Sequence, residues 1–141
     1  MVTRIAVLGA ECTGKTQLTQ TLQQALLQRA NAVVLVPEVL RTWCTQAGRT
    51  PQARPAHLTS ASANQNVTVI SDTSALMTAV YSDVLFDDTS LYTWALEQQR
   101  QFDLTLLLGL DLPWVGDGIQ RDGPRVQAQI DARLRHVLET H

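Results

Sequence analysis

Residues 9–16, GAECTGKT, form the most specific chemical pattern in the chain, G-x-x-x-x-G-K-T. Glycine adopts backbone angles that other residues resist, so such a loop can turn its N–H groups inward around a phosphate. Lys15 can then reach β- and γ-phosphates, and the Thr16 hydroxyl can bind Mg²⁺. The pattern predicts that a phosphate-binding loop is formed by Gly9, Ala10, Glu11, Cys12, Thr13, Gly14, Lys15 and Thr16.

Lysine usage supports a specific role for this loop. Lys15 is the single lysine, and the other ten basic residues are arginines. A compact ammonium fits a phosphate site that the wide, planar guanidinium of arginine would not enter. The alternative, a glycine-rich turn that matches the motif by chance, is disfavoured by the strand-like run before the loop and the helical pattern after it.

Four nearly continuous apolar runs are typical of strands in a parallel sheet that is covered on both faces. They are residues 4–8, 32–36, 67–71 and 104–110. Apolar residues recur at helical spacing between and after these runs. The predicted helices lie at about 16–29, after Pro37, around 76–84, around 91–95 and over 124–138.

The alternation of strands and helices predicts an α/β fold. We expect a three-layer P-loop NTPase of the nucleoside or nucleotide kinase-like type, with a mostly parallel sheet and a single domain over residues 1–141. No strand-like run follows the last predicted helix, so the final strand of such a sheet is expected to be missing. Two tryptophans on apolar helical stripes, Trp43 and Trp94, are expected in the core.

Asp72 ends the third apolar run. Ligands bind beyond the carboxyl ends of strands in an open parallel sheet, so this carboxylate is a candidate for holding Mg²⁺ through water. The alternative is an N-cap for the helix that starts near Ser74, since aspartate favours that position.

Glu38 and Arg41 follow the second run and would lie near a phosphoryl acceptor. A glutamate there can orient or deprotonate the acceptor hydroxyl, and Arg41 can bind the acceptor or pair with Glu38. The alternative for Glu38 is a solvated residue in the first turn of a helix.

Residues 112–125 are rich in glycine and proline and contain Arg121 and Arg125. Such a segment suits a lid whose guanidinium groups neutralise the charge that spreads over a transferring phosphoryl group. The alternative is an exposed turn with ordinary surface arginines. Trp114 is expected to pack at the base of the lid or to stack on an aromatic ring.

Bulk properties exclude several classes. A net charge of −2 gives no electrostatic reason to expect nucleic acid or an anionic membrane as partner, and no run reaches the ~20 apolar residues of a membrane span.

A GTPase N-K-x-D loop is impossible without a second lysine, and Asp72 lacks the neighbouring glutamate of a hexameric motor ATPase. We expect a cytoplasmic protein with two free cysteines. The sequence is compatible with a homo-oligomer and does not fix the oligomeric state.

The chain resembles the AAA-domain family that includes the ribosylnicotinamide kinase part of NadR-type proteins. The resemblance rests on RIAVLGAECTGKT, PEVLR, ISDTS, FDLTLLL and PWVGDGIQRDG, in that order. It implies ATP and Mg²⁺ as cofactors and a nicotinamide riboside-like acceptor. It also implies phosphate, metal and lid roles for Lys15, Thr16, Asp72 and Arg121, and an acceptor role for Glu38 and Arg41.

Two departures from the family stand out. Residues 49–66 are shorter and less helical than the stretch that often binds the acceptor. Members also continue past the lid helix into a further strand and helix. Either the domain is shortened here or the sequence is part of a longer domain, and we expect the second. The residues predict a small-molecule kinase. A regulatory module that binds ATP without transferring phosphate, and an ATPase that needs no acceptor, are the alternatives.

Overall fold

The four apolar runs form one sheet in which all strands are parallel. The computed structural model describes residues 1–29, 32–37, 66–114 and 123–141. The strands are β1 (Val2–Leu8), β2 (Ala32–Val36), β3 (Val67–Asp72) and β4 (Leu104–Leu107). They are arranged in the order β2-β3-β1-β4. The predicted parallel α/β fold, consistent with a P-loop NTPase, is therefore confirmed.

The register of the strands aligns their carboxyl ends. Val7 of β1 lies beside Asp72 of β3, Leu8 lies beside Leu107 of β4, and Val36 of β2 lies beside Ser71. All four strands therefore end within a few residues of one another, and the loops that leave them share one edge of the sheet.

Helices cover the sheet between and after the strands. They are α1 (Lys15–Leu27), α2 (Ala75–Phe86), α3 (Tyr92–Gln99) and α4 (Pro124–Thr140). Helix α1 contacts β1, β2 and β3, whereas α2 packs against α3 and α4. Pro124 occupies the first turn of α4, as predicted, where its missing N–H removes no helical hydrogen bond.

The core joins α2 and α4 to one face of β1. Ala6 and Leu8 alternate along that strand and pack with Leu76 of α2 and with Ile130 and Leu134 of α4. Residues two apart on a strand share a face, so Val7, which is also fully buried, points to the opposite face. The sheet thus has an apolar surface on both sides, which explains the absence of polar and apolar alternation in its strands.

Three details of the sequence prediction need correction or fall outside the description. The fourth strand ends at Leu107 rather than at residue 110, because Leu108 N–H makes a last bond to the Leu8 carbonyl, where β1 itself stops. Trp94 is 43% exposed and so was wrongly assigned to the core, where Ala95 lies instead. The helix predicted after Pro37, with Trp43, lies outside the described residues.

Replacing Leu134 by alanine should lower the free energy of unfolding by about 2–5 kcal/mol, because the side chain is fully buried and leaves a cavity. Urea denaturation measures this change. The control is Leu27→Ala at the end of α1, where the side chain is 49% exposed and the expected change is within about 0.5 kcal/mol. Equal losses in the two variants would contradict the assignment of the core.

Candidate functional site

The loop between β1 and α1 needs glycine at both of its ends. A Cβ on Gly9 would lie 2.7 Å from the Thr13 Oγ1 and 3.3 Å from the Leu108 Cβ, so a side chain there would have to displace its neighbours. Gly14 has φ of +82°, in the left-handed region that favours glycine. Cys12, at φ of 58°, is also left-handed although it carries a side chain. The loop is therefore held in a tightly curled backbone conformation.

Helix α1 begins at this loop without a side-chain cap. Its N-cap is Gly14, which offers no side-chain hydrogen bond, and its first turn has no acidic residue. The first N–H groups of a helix have no partner within the helix, and they carry its partial positive charge. The start of α1 therefore suits a phosphate anion.

The ammonium of Lys15 folds back over the loop. Its Nζ donates hydrogen bonds to the carbonyls of Gly9 and Ala10, each at 2.9 Å. The buried Thr13 hydroxyl donates to the same Ala10 carbonyl at 2.8 Å. The only lysine of the chain thus adds its charge at the loop itself rather than in solvent.

A hydrogen bond between Thr16 and Asp72 joins the loop to the neighbouring strand. The Thr16 hydroxyl donates to Asp72 Oδ2 at 2.7 Å, and Asp72 is only 4% exposed. Its other oxygen, Oδ1, is buried and accepts no hydrogen bond from the residues described. A buried carboxylate oxygen without a partner is costly, whereas carboxylates, hydroxyls and water are the ligands that Mg²⁺ prefers. The pair therefore fits a magnesium ion.

The cap of α2 is Ser74, not Asp72. The Ser74 side chain accepts a hydrogen bond from the Leu76 N–H at 3.3 Å and donates to Gln99 Oε1 at 2.6 Å. Gln99 in turn donates to the Thr105 hydroxyl of β4 at 2.8 Å. This buried chain fixes the turn that follows β3, so the alternative reading of Asp72 as the helix cap is not what the structure shows.

Gln127 of α4 also contacts the loop, and the sequence analysis missed it. Its Nε2 donates to the Glu11 carbonyl at 2.6 Å, and the side chain is 8% exposed. Its helical spacing from Ile130 and Leu134 distinguishes Gln127 from Gln129 of the same helix, which is exposed. The spacing places Gln127 on the apolar face, but its partner in the loop depends on how α4 packs.

The other predicted residues are not brought into this cluster by the described structure. Arg125 is exposed in the first turn of α4. Glu38, Arg41 and Arg121 lie outside the described residues. Of the segment predicted as a lid, residues 112–114 and 123–125 are described.

The residues before that gap lie against the loop. A Leu112 methyl group lies 3.2 Å from where a Cβ of Gly14 would be. Trp114 is partly buried, and its Nε1 has no hydrogen-bond partner in the described structure. The chain that leaves β4 therefore packs over the end of the phosphate loop.

A second polar cluster lies where α2, α3 and α4 meet, apart from the loop. The buried Asp83 accepts from the Tyr92 hydroxyl at 2.7 Å and pairs with Arg133 at 3.0 Å. Burial, and then the hydrogen bond and charge of Asp83, raise the pKa of Tyr92. A depression of about 660 Å³ beside Asp83 is lined by α2 and α4 and by no residue of the loop. The cluster therefore joins three helices, α2 through Asp83, α3 through Tyr92 and α4 through Arg133.

The described residues contain neither a cluster of metal ligands nor a membrane-spanning helix. They contain no group of three or more histidine, cysteine, aspartate or glutamate side chains that could hold a metal ion by themselves. None of the helices in these same parts of the chain is both long enough and apolar enough to cross a membrane.

One comparison with known proteins identifies a family. The model of a family described as an AAA domain matches residues 4–141, nearly the whole chain. No curated protein matches the chain.

Replacing Gly9 by alanine should abolish detectable binding of ADP by calorimetry, because the new methyl group must displace Thr13 or Leu108 and so distort the loop. Overpacking of this kind should also lower the free energy of unfolding by about 1–3 kcal/mol.

The double variant Gly9→Ala, Thr13→Ala removes the closest of these contacts and should recover part of the stability. Thr13→Ala alone serves as its reference. Unchanged ADP affinity in Gly9→Ala would show that the loop tolerates a side chain there, contrary to the close contacts that a Cβ at Gly9 would make.

Proposed function

Since the chain belongs to this family of AAA domains and is therefore a P-loop nucleotide-binding protein, we propose that it is a small-molecule kinase. It transfers the γ-phosphate of ATP to a hydroxyl of a nucleoside-type acceptor, and the resemblance noted above makes a nicotinamide riboside-like molecule the first candidate. The observation that carries the proposal is the 2.7 Å hydrogen bond between Thr16 and Asp72 at the start of α1.

In this proposal the loop binds the triphosphate through main-chain N–H groups. The uncapped start of α1 and the ammonium of Lys15 stabilise the negative charge. Lys15 exchanges its bonds to the Gly9 and Ala10 carbonyls for bonds to phosphate oxygens. That exchange replaces neutral acceptors with charged ones, which bind the ammonium more strongly.

Magnesium fits the same cluster. Thr16 would hold the ion directly and Asp72 through water, with the unpartnered Asp72 Oδ1 as the acceptor for that water. The ion would neutralise charge on the β- and γ-phosphates. Because β3 is hydrogen-bonded to β1 along its whole length, Asp72 is fixed relative to the loop before any nucleotide binds.

The acceptor side of the proposal rests on the position of β2. That strand lies next to β3, and Val36 is in register with Ser71. The chain therefore leaves β2 at the same edge of the sheet as Asp72, and Glu38 follows two residues after Val36 in the sequence. We assign Glu38 to orientation of the acceptor hydroxyl and Arg41 to binding of the acceptor.

The lid completes the proposed site. In this assignment residues 112–125 cover the phosphates, and Arg121 and Arg125 neutralise charge in the transition state. Two observations support a lid at this place. A Leu112 methyl group lies close to Gly14 of the loop, and Arg125 comes two residues before Gln127, which bonds to the loop.

Lys15→Ala should lower ATP turnover by about a hundredfold or more, because it removes a charge that stabilises the transition state. The thermal midpoint without nucleotide should change little, because Lys15 is not part of the buried core. A coupled ADP assay and thermal unfolding measure the two effects. Lys15→Arg tests whether charge alone suffices, and we expect it to be inactive as well.

Asp72→Asn should raise the Mg²⁺ concentration needed for half-maximal activity by about 10–100-fold, because a neutral amide orients a metal-bound water poorly. Stabilisation of the ATP-bound protein by Mg²⁺, followed as a thermal shift, should weaken in parallel. The matched control is Asp87→Asn at the exposed end of α2, where the left-handed backbone also accepts asparagine. If both variants and the unaltered protein showed the same Mg²⁺ dependence, Asp72 would have no role in holding the ion.

ATP consumption should increase when a nucleoside acceptor is added. A panel that includes nicotinamide riboside, adenosine, cytidine and uridine would be assayed with Mg²⁺ and ATP, and the phosphorylated product identified by mass spectrometry. Binding of ATP without turnover would instead indicate a regulatory module, and turnover that no acceptor stimulates would indicate an ATPase. Either result would overturn the kinase assignment while leaving nucleotide binding intact.

A further inference from the structure

Gln127 occupies an unusual place for a polar side chain. It lies three and four residues before Ile130 and Asp131 and seven before Leu134, so it shares the buried face of α4. An amide buried in such a face is unfavourable unless it is hydrogen-bonded. The bond from Gln127 Nε2 to the Glu11 carbonyl, at 2.6 Å, satisfies it.

This bond fixes the orientation of one peptide group in the loop. The Glu11 carbonyl and the Cys12 N–H belong to the same planar peptide unit, and in a trans peptide they point in opposite directions. The described residues contain no cis peptide bond. Since Gln127 holds the carbonyl toward α4, the Cys12 N–H points away from α4. The left-handed φ of Cys12 then carries the chain on toward Gly14.

We propose that Gln127 is a positioning residue of the phosphate loop, which presents the Cys12 N–H to the phosphates of the bound nucleotide. The inference rests on the proposed nucleotide-binding function of residues 9–16 and adds to it a residue 116 positions from Glu11 in the sequence. Helix α4 provides a rigid support, because Ile130 and Leu134 anchor it in the core.

The proposed role of Gln127 has different measurable effects from those of an ordinary packing residue. A packing residue contributes to the stability of the protein with and without nucleotide alike. A residue that orients a phosphate-binding amide contributes more when the nucleotide is bound, so its loss must appear in affinity. The effect must also be local, because the N–H groups of Gly14 and Lys15 are fixed by the start of α1 rather than by Gln127.

The test uses Gln127→Met, which keeps the length of the side chain and removes its hydrogen-bond donor. Gln129→Met, on the exposed face of the same helix, is the matched control. Affinity for Mg·ADP is measured by calorimetry, and the backbone amide signals of Cys12, Gly14 and Lys15 are followed by NMR during the titration.

We expect Gln127→Met to bind Mg·ADP about three- to tenfold more weakly, as loss of one oriented hydrogen bond implies. The shift of the Cys12 amide on binding should shrink, while those of Gly14 and Lys15 persist. Gln129→Met should behave as the unaltered protein does. If Gln127→Met does not fold, Gln127→Leu, which also lacks a donor and is a good helix former, takes its place with the same expectation.

Unchanged affinity and an unchanged Cys12 shift in a folded Gln127 variant would overturn the inference and leave the proposed function standing. Equal weakening of the shifts at Cys12, Gly14 and Lys15 would also overturn it, because the residue would then act on the whole loop through packing. If the unaltered protein bound no Mg·ADP, the proposed function would fail first, and the role of Gln127 with it.

Discussion

The arrangement of this protein depends on the parallel pairing of β1 with β3. That pairing sets Val7 beside Asp72, so the carboxylate at the end of one strand lies next to the loop that leaves the other. The bond between Thr16 and Asp72 follows directly. A shift of the register by one residue would turn the Asp72 side chain to the other face of the sheet and separate it from the loop. The pairing of hydrophobic strands therefore determines the geometry of a polar site.

The polar groups around the loop are fixed from several directions. Helix α2 begins at Ser74, whose hydrogen bonds to Gln99 and on to Thr105 tie the end of β3 to β4. Helix α4 supplies Gln127, which donates to the Glu11 carbonyl of the loop. A curled loop with left-handed residues is strained on its own. Contacts from surrounding elements hold it in one conformation before a nucleotide binds, which reduces the ordering that binding requires.

The sequence predicted the fold well because its signals are local. Continuous apolar runs mark strands buried on both faces, and every predicted strand and helix in the described residues is present to within a few residues of its expected bounds. The errors arose where local pattern and tertiary surroundings disagree. Trp94 lies on a helical stripe but at the margin of the core, and the end of β4 depends on where its neighbour β1 stops rather than on its own apolar residues.

By itself the sequence determined the elements and the phosphate loop, since glycine at positions 9 and 14 and lysine at 15 are required by backbone angles and charge that any such loop shares. It left the role of Asp72 open between a metal site and a helix cap, and it did not show which group Gln127 would contact. Only the tertiary structure placed the cap at Ser74, bonded Asp72 to Thr16 and brought Gln127 to the loop, because these contacts depend on which strands are neighbours and on how α4 packs. Contacts across 56 and 116 residues of chain arise from the packing of the whole domain, and no short stretch of sequence encodes them.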